Sequence, residues 1–270
     1  DALPSDGGMR IRGSGTAGHA RAPRRGPWHA GAVPTVETVE TTDGPMDVVV
    51  AEPDGPRRGG VVVVQEAFGV TPHLRDVADR LAVDGWLAVV PALFHRTGAP
   101  VLGYDDLDAV VPHMGALTAD GIRADLGAAL GVLGDAGVPA AACGVVGFCM
   151  GGTVALWAAT ELPLGAAVTF YGGGGVQGRF GFPPLVELAP RLRAPWQGHY
   201  GDLDRGIPVE QVEALRRAAA GAPVDTEVWR YEGAGHGFNC DDRDAFHAPA
   251  AAVAWARMLD WFGTHLRRVG

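Results

Sequence analysis

A cysteine set between closely spaced glycines constrains the fold of this chain more than any other feature. The apolar run at 143–146 predicts a buried strand, the run at 153–159 predicts a buried helix, and Gly-Phe-Cys-Met-Gly-Gly at 147–152 joins them. Glycine suits such a turn because the strand and helix backbones approach too closely for a Cβ atom. We therefore predict that Cys149 is a nucleophile at the tip of the turn, where the helix N-terminus favours its thiolate form. The alternative is a buried structural cysteine, which is the usual location of a free thiol.

Length and composition limit the classes of protein that this sequence can represent. The chain has 270 residues, of which 47% are hydrophobic, and this suffices for one large α/β domain with a sizeable core. Its 22 basic and 31 acidic residues give a formal net charge of −9, so no basic excess is available to bind nucleic acid. No apolar run reaches the roughly 20 residues that a membrane span requires.

The cysteine content indicates a reduced protein. The three cysteines, Cys143, Cys149 and Cys240, are an odd number and form no C-x-x-C pair, so neither a disulfide framework nor a zinc site is predicted. Reduced thiols are typical of the cytosol. We therefore predict a cytoplasmic protein.

The first part of the chain differs in composition from the remainder. Residues 1–34 are rich in Gly, Ala, Arg and Pro, and they show no apolar periodicity. Five arginines between positions 9 and 25 are not followed by an apolar segment, which argues against a secretory signal. We predict a disordered leader at 1–34 and a single domain at 35–270. An organelle-targeting or nucleic-acid-binding arm is the alternative interpretation of the basic segment.

Strand and helix patterns alternate along the predicted domain. Two short strands around a turn at 43–45 predict an entry hairpin. Further strands are predicted at 60–65, 86–90, 143–146, 166–171, 196–200 and 226–231. Helices are predicted between them, one of them spanning 105–136 with breaks near Pro112 and Gly121. This alternation predicts a doubly wound, mainly parallel sheet with helices on both faces.

Three residues of catalytic type each follow a predicted strand: Cys149, Asp204 and His236. The carboxyl ends of parallel strands lie at one edge of a sheet, so the three side chains can meet in one cleft. The order nucleophile, acid, histidine is that of the α/β-hydrolase fold, which we therefore expect. His236 would take the thiol proton and later protonate the leaving group, while Asp204 orients the imidazole. The backbone N–H groups of Ala67 and Met150 would stabilise the negative oxygen of the tetrahedral intermediate.

Other residues compete for two of these roles. His95 and His199 could also reach the cleft, but only His236 follows a late strand inside a glycine-rich turn. For the acid, Asp202 competes with Asp204, since aspartates in loops often serve only to form turns.

Four motifs, spread over about residues 36–268, resemble in order those of the dienelactone hydrolase family. They are Gln-Glu-Ala-Phe-Gly at 65–69, Gly-Phe-Cys-Met-Gly-Gly at 147–152, Gly-Asp-Leu-Asp at 201–204 followed by Pro208, and Ala-Gly-His-Gly-Phe at 234–238. The resemblance implies a hydrolase of a small-molecule lactone or ester, which acts through an acyl-thioenzyme without a metal or organic cofactor. It also implies that Asp204 is the acid. A broader carboxylesterase or thioesterase, or a non-catalytic binding protein of the same fold, is the alternative.

The resemblance implies further site residues. Glu66 would lie beside the resting thiol and help convert it to the thiolate when substrate binds, because a desolvated carboxylate can accept a proton. Arg96 would hold a substrate carboxylate in a bidentate contact, and Phe68 is a candidate substrate contact. A strand-end glutamate facing solvent and a surface arginine are the corresponding alternatives. Near the position of a second family arginine this sequence has Cys240, and Arg243 comes later. Cys143 and Cys240 are expected to have no catalytic role.

Overall fold

A computed structural model describes residues 34–269, and these residues contain one eight-stranded sheet. The strands lie in the order β1-β2-β4-β3-β5-β6-β7-β8. Their bounds are β1 Thr35–Thr41, β2 Gly44–Ala51, β3 Gly59–Val64, β4 Trp86–Pro91, β5 Cys143–Phe148, β6 Ala166–Phe170, β7 Trp196–Gly201 and β8 Thr226–Tyr231. The pairs β1–β2 and β2–β4 are antiparallel and all the others are parallel. The predicted entry hairpin and mainly parallel sheet are confirmed.

The central strands are buried on both faces. Every residue of β3, β4, β5 and β6 is buried, although successive side chains of a strand point to opposite faces of the sheet. Such strands need cover on both sides, and the continuous apolar runs in the sequence reflect this requirement. The structure therefore has the doubly wound α/β-hydrolase architecture that the sequence predicts.

Seven α-helices connect the strands of the described region. They are α1 Pro72–Val83, α2 Leu107–Gly115, α3 Ala119–Asp135, α4 Met150–Glu161, α5 Leu185–Leu188, α6 Val209–Ala219 and α7 Ala248–His265. None of the helices at 34–269 is both long and apolar enough to cross a membrane. The predicted leader falls on residues that precede the described part of the chain, except for Pro34 at its end.

The predicted breaks in the helix at 105–136 were misplaced. Pro112 lies inside α2, and Gly121 lies in the first turn of α3. The chain instead turns at 116–118, where Thr118 accepts a hydrogen bond from the backbone N–H of Gly121 at 3.1 Å and so caps α3. The cap, rather than either helix-breaking residue, determines where the second helix begins.

The register of the sheet brings several loops to one edge. Val64 of β3 pairs with Gly147 of β5, so the segments that carry Glu66 and Cys149 leave the sheet side by side. Gly201 of β7 pairs with Tyr231 of β8, and the loops after these two strands carry the next candidate residues. All four loops leave from carboxyl ends of parallel strands, which is where open α/β sheets bind ligands.

Candidate active site

The turn after β5 places Cys149 in a strained backbone conformation. Cys149 has φ 53° and ψ −114°, and its backbone N–H donates a hydrogen bond to the carbonyl oxygen of Phe170 at 3.0 Å. A Cβ atom added at Gly147 would lie 1.8 Å from the carbonyl oxygen of Gly151. Only glycine fits at 147, so the close approach that the motif predicted is present. A non-glycine residue at positive φ is the backbone signature of a nucleophile elbow.

The three cysteines differ in accessibility. Cys149 is partly exposed, whereas Cys143 and Cys240 are buried. Burial raises the pKa of the Cys143 thiol to about 11, which makes it unreactive at neutral pH. Cys149 also precedes the first residue of α4, so its sulfur lies at the positive end of a helix.

Asp204 and His236 form a short hydrogen bond. Nδ1 of His236 lies 2.7 Å from Oδ2 of Asp204. The other oxygen of Asp204 accepts hydrogen bonds from the backbone N–H groups of Gly206, at 2.8 Å, and Ile207, at 3.1 Å. These two hydrogen bonds hold the Asp204 carboxylate in place independently of its contact with His236. The side chain of Asp204 is only 2% exposed.

The imidazole of His236 interacts with both Asp204 and Cys149. Burial lowers the pKa of His236, but its interactions with Asp204 and Cys149 outweigh burial and raise that pKa to about 10. The ring centroid of Tyr171 lies 5.1 Å from that of His236 and supports it from the end of β6. The structure thus brings together the thiol, the imidazole and the carboxylate, which the sequence separates by up to 87 residues.

The competing residues have other partners. Asp202 accepts a hydrogen bond from Nε of Arg230 at 2.7 Å, and His95 lies 3.1 Å from Asp125. His199 is fully buried, with its two ring nitrogens each 2.8 Å from a side chain, those of Gln197 and Tyr231. Burial lowers the pKa of His199 to about 3, so it is neutral at physiological pH. These contacts leave His236 and Asp204 as the pair beside Cys149.

Glu66 lies at the end of β3 and is buried. Its side chain is 0% exposed, so the alternative of a solvent-facing glutamate is wrong. Neither of its carboxylate oxygens has a hydrogen-bond partner among residues 34–269, and the nearest cation is Nη1 of Arg243, 3.8 Å away. Arg243 is therefore the one ion-pair partner of this buried carboxylate among residues 34–269.

Arg96 belongs to an ion cluster with Asp125 and Asp43. Its Nη1 and Nη2 atoms contact the two carboxylate oxygens of Asp125 at 2.7 and 2.9 Å, and its Nε contacts Asp43 at 2.7 Å. Asp125 itself is fully buried. The guanidinium of Arg96 is therefore already bound to two carboxylates, and it presents no free bidentate face to a substrate.

Arg243 is the arginine that reaches the candidate site, and sequence reasoning did not place it there. In addition to its contact with Glu66, Arg243 packs on two aromatic rings. Its guanidinium carbon lies 5.6 Å from the ring centroid of Phe68 and 5.3 Å from that of Tyr104. Phe68 is only 3% exposed and packs edge-on against Tyr104 at 4.8 Å, so it supports Arg243 more than it offers surface to a ligand. The sequence signal was weak, because the loop after His236 makes further turns before it delivers Arg243.

Comparison with known proteins identifies the family of this chain. A sequence model of the dienelactone hydrolase family matches residues 46–266. The chain belongs to the dienelactone hydrolase family. A relative from Escherichia coli O157:H7, provisionally named a carboxymethylenebutenolidase, is 38% identical over 82% of this chain and 78% of its own. This member of the dienelactone hydrolase family is therefore a hydrolase.

Solved structures show the same fold. A protein of Klebsiella pneumoniae subsp. pneumoniae, provisionally described as a dienelactone hydrolase, superposes with a TM-score of 0.78 and 34% identity over 86% of this chain and 98% of that one. A dienelactone hydrolase-like promiscuous phosphotriesterase from metagenomic libraries superposes with a TM-score of 0.70 and 26% identity over 87% and 99%. Among residues 34–269 of this dienelactone hydrolase family member, no group of three or more His, Cys, Asp or Glu is arranged to hold a metal ion.

Proposed function

We propose that this protein hydrolyses a small-molecule lactone or carboxylic ester, with Cys149 as nucleophile, His236 as general base and acid, and Asp204 as the residue that orients His236. The observation that carries the proposal is the 2.7 Å contact between Asp204 and His236, next to a thiol on a strained turn. An imidazole held in this way can give a proton to the leaving oxygen and take one from the attacking water. We assign this activity to a single domain at 35–270 of a cytosolic protein.

The reaction would proceed in two steps. In the first step the thiol proton of Cys149 goes to Glu66, the sulfur attacks the carbonyl carbon, and the bond from that carbon to the alcohol oxygen breaks as the imidazolium of His236 gives its proton to the oxygen. Water then attacks the acyl-thioenzyme while His236 accepts its proton, and the carbon–sulfur bond breaks to release the acid. In a lactone the alcohol and acid are parts of one molecule, so the product is a single hydroxy acid.

The backbone N–H groups of Ala67 and Met150 would stabilise the tetrahedral intermediate. Met150 is the first residue of α4, where helix geometry leaves the N–H without an acceptor in the helix. Ala67 follows β3, the strand next to β5, and so leaves the sheet beside the elbow. Two such donors aimed at the developing oxyanion contribute about 3 kcal/mol each to the barrier reduction.

Glu66 would act on the resting thiol. Its buried carboxylate lies in the segment next to the elbow and can accept the thiol proton once its interaction with Arg243 is weakened. In this proposal a substrate with a carboxylate would bind Arg243 rather than Arg96, because both Asp125 oxygens already occupy Arg96. An uncharged ester would leave the interaction between Glu66 and Arg243 intact, so we expect it to react through Cys149 more slowly than a carboxylate-bearing one.

The test of the nucleophile is hydrolysis of p-nitrophenyl acetate by the wild type, Cys149→Ala and Cys143→Ala. Cys143 is the matched control because it is a buried thiol at the start of the same strand. We expect only Cys149→Ala to abolish turnover. Equal rates for the wild type and Cys149→Ala would refute catalysis through this cysteine and would favour a non-catalytic binding protein.

The role of the carboxylates can be tested separately. Glu66→Gln should change the pH dependence of Cys149 alkylation by iodoacetamide, and an unchanged profile would rule out the proposed proton acceptor. A panel of lactones, esters and thioesters with and without a carboxylate would define the acyl group. We expect Arg243→Gln to raise KM about tenfold or more for the carboxylate-bearing compounds only. If a thioester or a neutral ester is the best substrate, the broader esterase or thioesterase assignment would replace the dienelactone-like one.

A further inference from the structure

The glycine that follows His236 lies directly against the guanidinium of Arg243. A Cβ atom added at Gly237 would lie 2.5 Å from Nη1, 2.9 Å from Cζ and 3.3 Å from Nε of Arg243. Real Cβ atoms essentially never approach other heavy atoms within 3.0 Å, so a side chain at this position would displace the guanidinium. The position of the charged group therefore depends on the absence of a side chain next to His236.

The loop after β8 folds back on itself and returns residue 243 to residue 237. The backbone N–H of Cys240 donates a hydrogen bond to the carbonyl oxygen of Gly237 at 3.0 Å, and that of Arg243 donates to the carbonyl oxygen of Cys240 at 3.2 Å. Two successive turns thus fix the backbone at both ends of the contact. Gly237 is buried, so the guanidinium lies on main chain that is itself packed in the protein.

The other neighbours of the guanidinium leave it little room to move within the protein. The rings of Phe68 and Tyr104 pack against each other at 4.8 Å, and Phe68 is only 3% exposed. Nη1 of Arg243 lies 3.8 Å from the buried carboxylate of Glu66 and makes no hydrogen bond within the described part of the chain. The side chain of Arg243 is 19% exposed, so solvent is the direction in which it can yield. A Cβ atom at position 237 would therefore drive the guanidinium outwards, away from Glu66.

Gly237 has a second reason to be glycine, which is its backbone conformation. Its φ is +79°, a value that residues with a side chain rarely adopt. Gly233 in the same loop has a similar φ of +74°, but a Cβ atom there would lie 3.4 Å from its nearest neighbour, Nε2 of His247. The two glycines therefore share the requirement of the backbone, and they differ in the space available for a side chain.

We propose that Gly237 is a positioning residue whose missing side chain lets Arg243 bind a substrate carboxylate, and that it thereby determines the preference for carboxylate-bearing over neutral esters. The inference rests on the proposed role of Arg243 as the cation that binds this carboxylate. A bidentate contact needs both nitrogens of the guanidinium in fixed positions, and a displaced guanidinium no longer offers them.

A side chain at position 237 is expected to affect recognition rather than folding. The atoms that a Cβ would meet at Gly237 belong to the end of a flexible side chain, which can rotate away. At Gly147 the corresponding atoms belong to the backbone of the elbow, which cannot. The same kind of substitution therefore has different consequences at the two glycines.

The contact is tested by the reaction of Arg243 with phenylglyoxal, followed at its own peptide by mass spectrometry. We expect Gly237→Ala to react about threefold faster than the wild type or more, because packing leaves solvent as the only direction for the guanidinium, and Gly233→Ala to react like the wild type. Equal rates in the three proteins, or a slower reaction in Gly237→Ala, would overturn the proposal. If Gly237→Ala does not fold, Gly237→Asn takes its place, since asparagine tolerates positive φ and also carries a Cβ. This measurement does not depend on hydrolysis, so it stays decisive if Cys149→Ala is fully active.

The consequence for specificity is tested with two matched esters, one with and one without a carboxylate. The ratio of their kcat/KM values should fall about fivefold or more in Gly237→Ala but not in Gly233→Ala, because the charge-assisted contact is lost only in the first. Backbone strain beside His236 slows both esters alike and cancels in the ratio. An unchanged ratio in Gly237→Ala would refute the role in specificity.

A double substitution shows whether Gly237 acts through Arg243. In an Arg243→Gln background, Gly237→Ala should cause no further fall in the ratio. A fall that persists without Arg243 would refute an action through this guanidinium. If Arg243→Gln alone left the ratio unchanged, the proposed carboxylate site itself would be wrong, while the phenylglyoxal reaction would still report the contact between Gly237 and Arg243.

Discussion

Replacement of Asp204 by asparagine is the sharpest test of the candidate triad. The change preserves shape, and the remaining carbonyl oxygen can still accept the backbone hydrogen bonds from Gly206 and Ile207. It removes the negative charge 2.7 Å from Nδ1 of His236 and presents an N–H group to that nitrogen instead. The imidazole would then carry its proton on Nε2, and it could not accept one from the attacking water.

The structure gives the size of the expected loss. Burial lowers the pKa of His236, while Asp204 and Cys149 raise it from 6.5 to about 10, which corresponds to roughly 5 kcal/mol in favour of the imidazolium. The side chain is 32% exposed, and Cys149 contributes to the shift, so solvent screening and this second contribution reduce the share of Asp204 to about 2–4 kcal/mol. We therefore expect Asp204→Asn to lower kcat/KM by about 30- to 10³-fold, and the wrong tautomer would bring the loss to about 10⁴-fold.

The assay is steady-state hydrolysis of p-nitrophenyl acetate, or of the best ester in the panel, with circular dichroism to verify the fold. Asp202→Asn is the control, because Asp202 lies two residues away and pairs with Arg230 at the surface. It should retain activity within about threefold of the wild type, since an exposed ion pair contributes little. A loss below tenfold in Asp204→Asn, or an equal loss in both variants, would refute the assignment of Asp204.

Three further outcomes test other parts of the structure. Gly147→Ala should prevent folding or lower the free energy of unfolding by more than about 4 kcal/mol, because its Cβ would lie 1.8 Å from a backbone oxygen. Gly131→Ala is the control: its Cβ would have open space around it, so the free energy of unfolding in urea should rise by about 1 kcal/mol. Burial lowers the pKa of His199 from 6.5 to about 3, so the unfolded state binds the proton first as pH falls through this range. Stability should therefore decrease by up to about 1.4 kcal/mol per pH unit below pH 6.5, and urea unfolding of His199→Gln should show a flatter dependence; parallel curves would contradict this account. Arg96→Ala should lower the free energy of unfolding by about 3 kcal/mol in the same assay, because Asp125 would stay buried without its main partner. The KM of hydrolysis should not change. A raised KM with unaltered stability would instead indicate that Arg96 contacts the substrate.

The fold followed from local patterns that the sequence displays directly. The apolar runs of β3, β4 and β5 and the glycines around Cys149 each have a single physical explanation, and the structure agrees with it. The breaks assigned to Pro112 and Gly121 were wrong because proline is tolerated within α2 and because a capping threonine starts α3. Caps depend on one side-chain contact, and periodicity does not report such a contact.

The sequence allowed us to predict the positions of candidate residues that directly follow strands. It did not allow this for residues whose positions depend on long loops. Cys149, Asp204 and His236 each follow a parallel strand of the same sheet, so topology alone places them at one edge. Arg96 and Arg243 were not distinguishable in this way. Arg96 is bound by the buried carboxylate of Asp125, which lies on α3. Arg243 reaches Glu66 from a loop with several turns.

Cys149 and Arg243 lie on different parts of the fold, and this affects how the sequence of such an enzyme can change. Cys149 is fixed by the sheet, and a slip of one residue in the pairing of β3 with β5 would turn its neighbours to the wrong face. Arg243 is carried by a connecting segment that can lengthen, shorten or exchange residues without altering that pairing. In the proposed mechanism, preference for charged or neutral compounds can therefore change through this segment while Cys149 keeps its position.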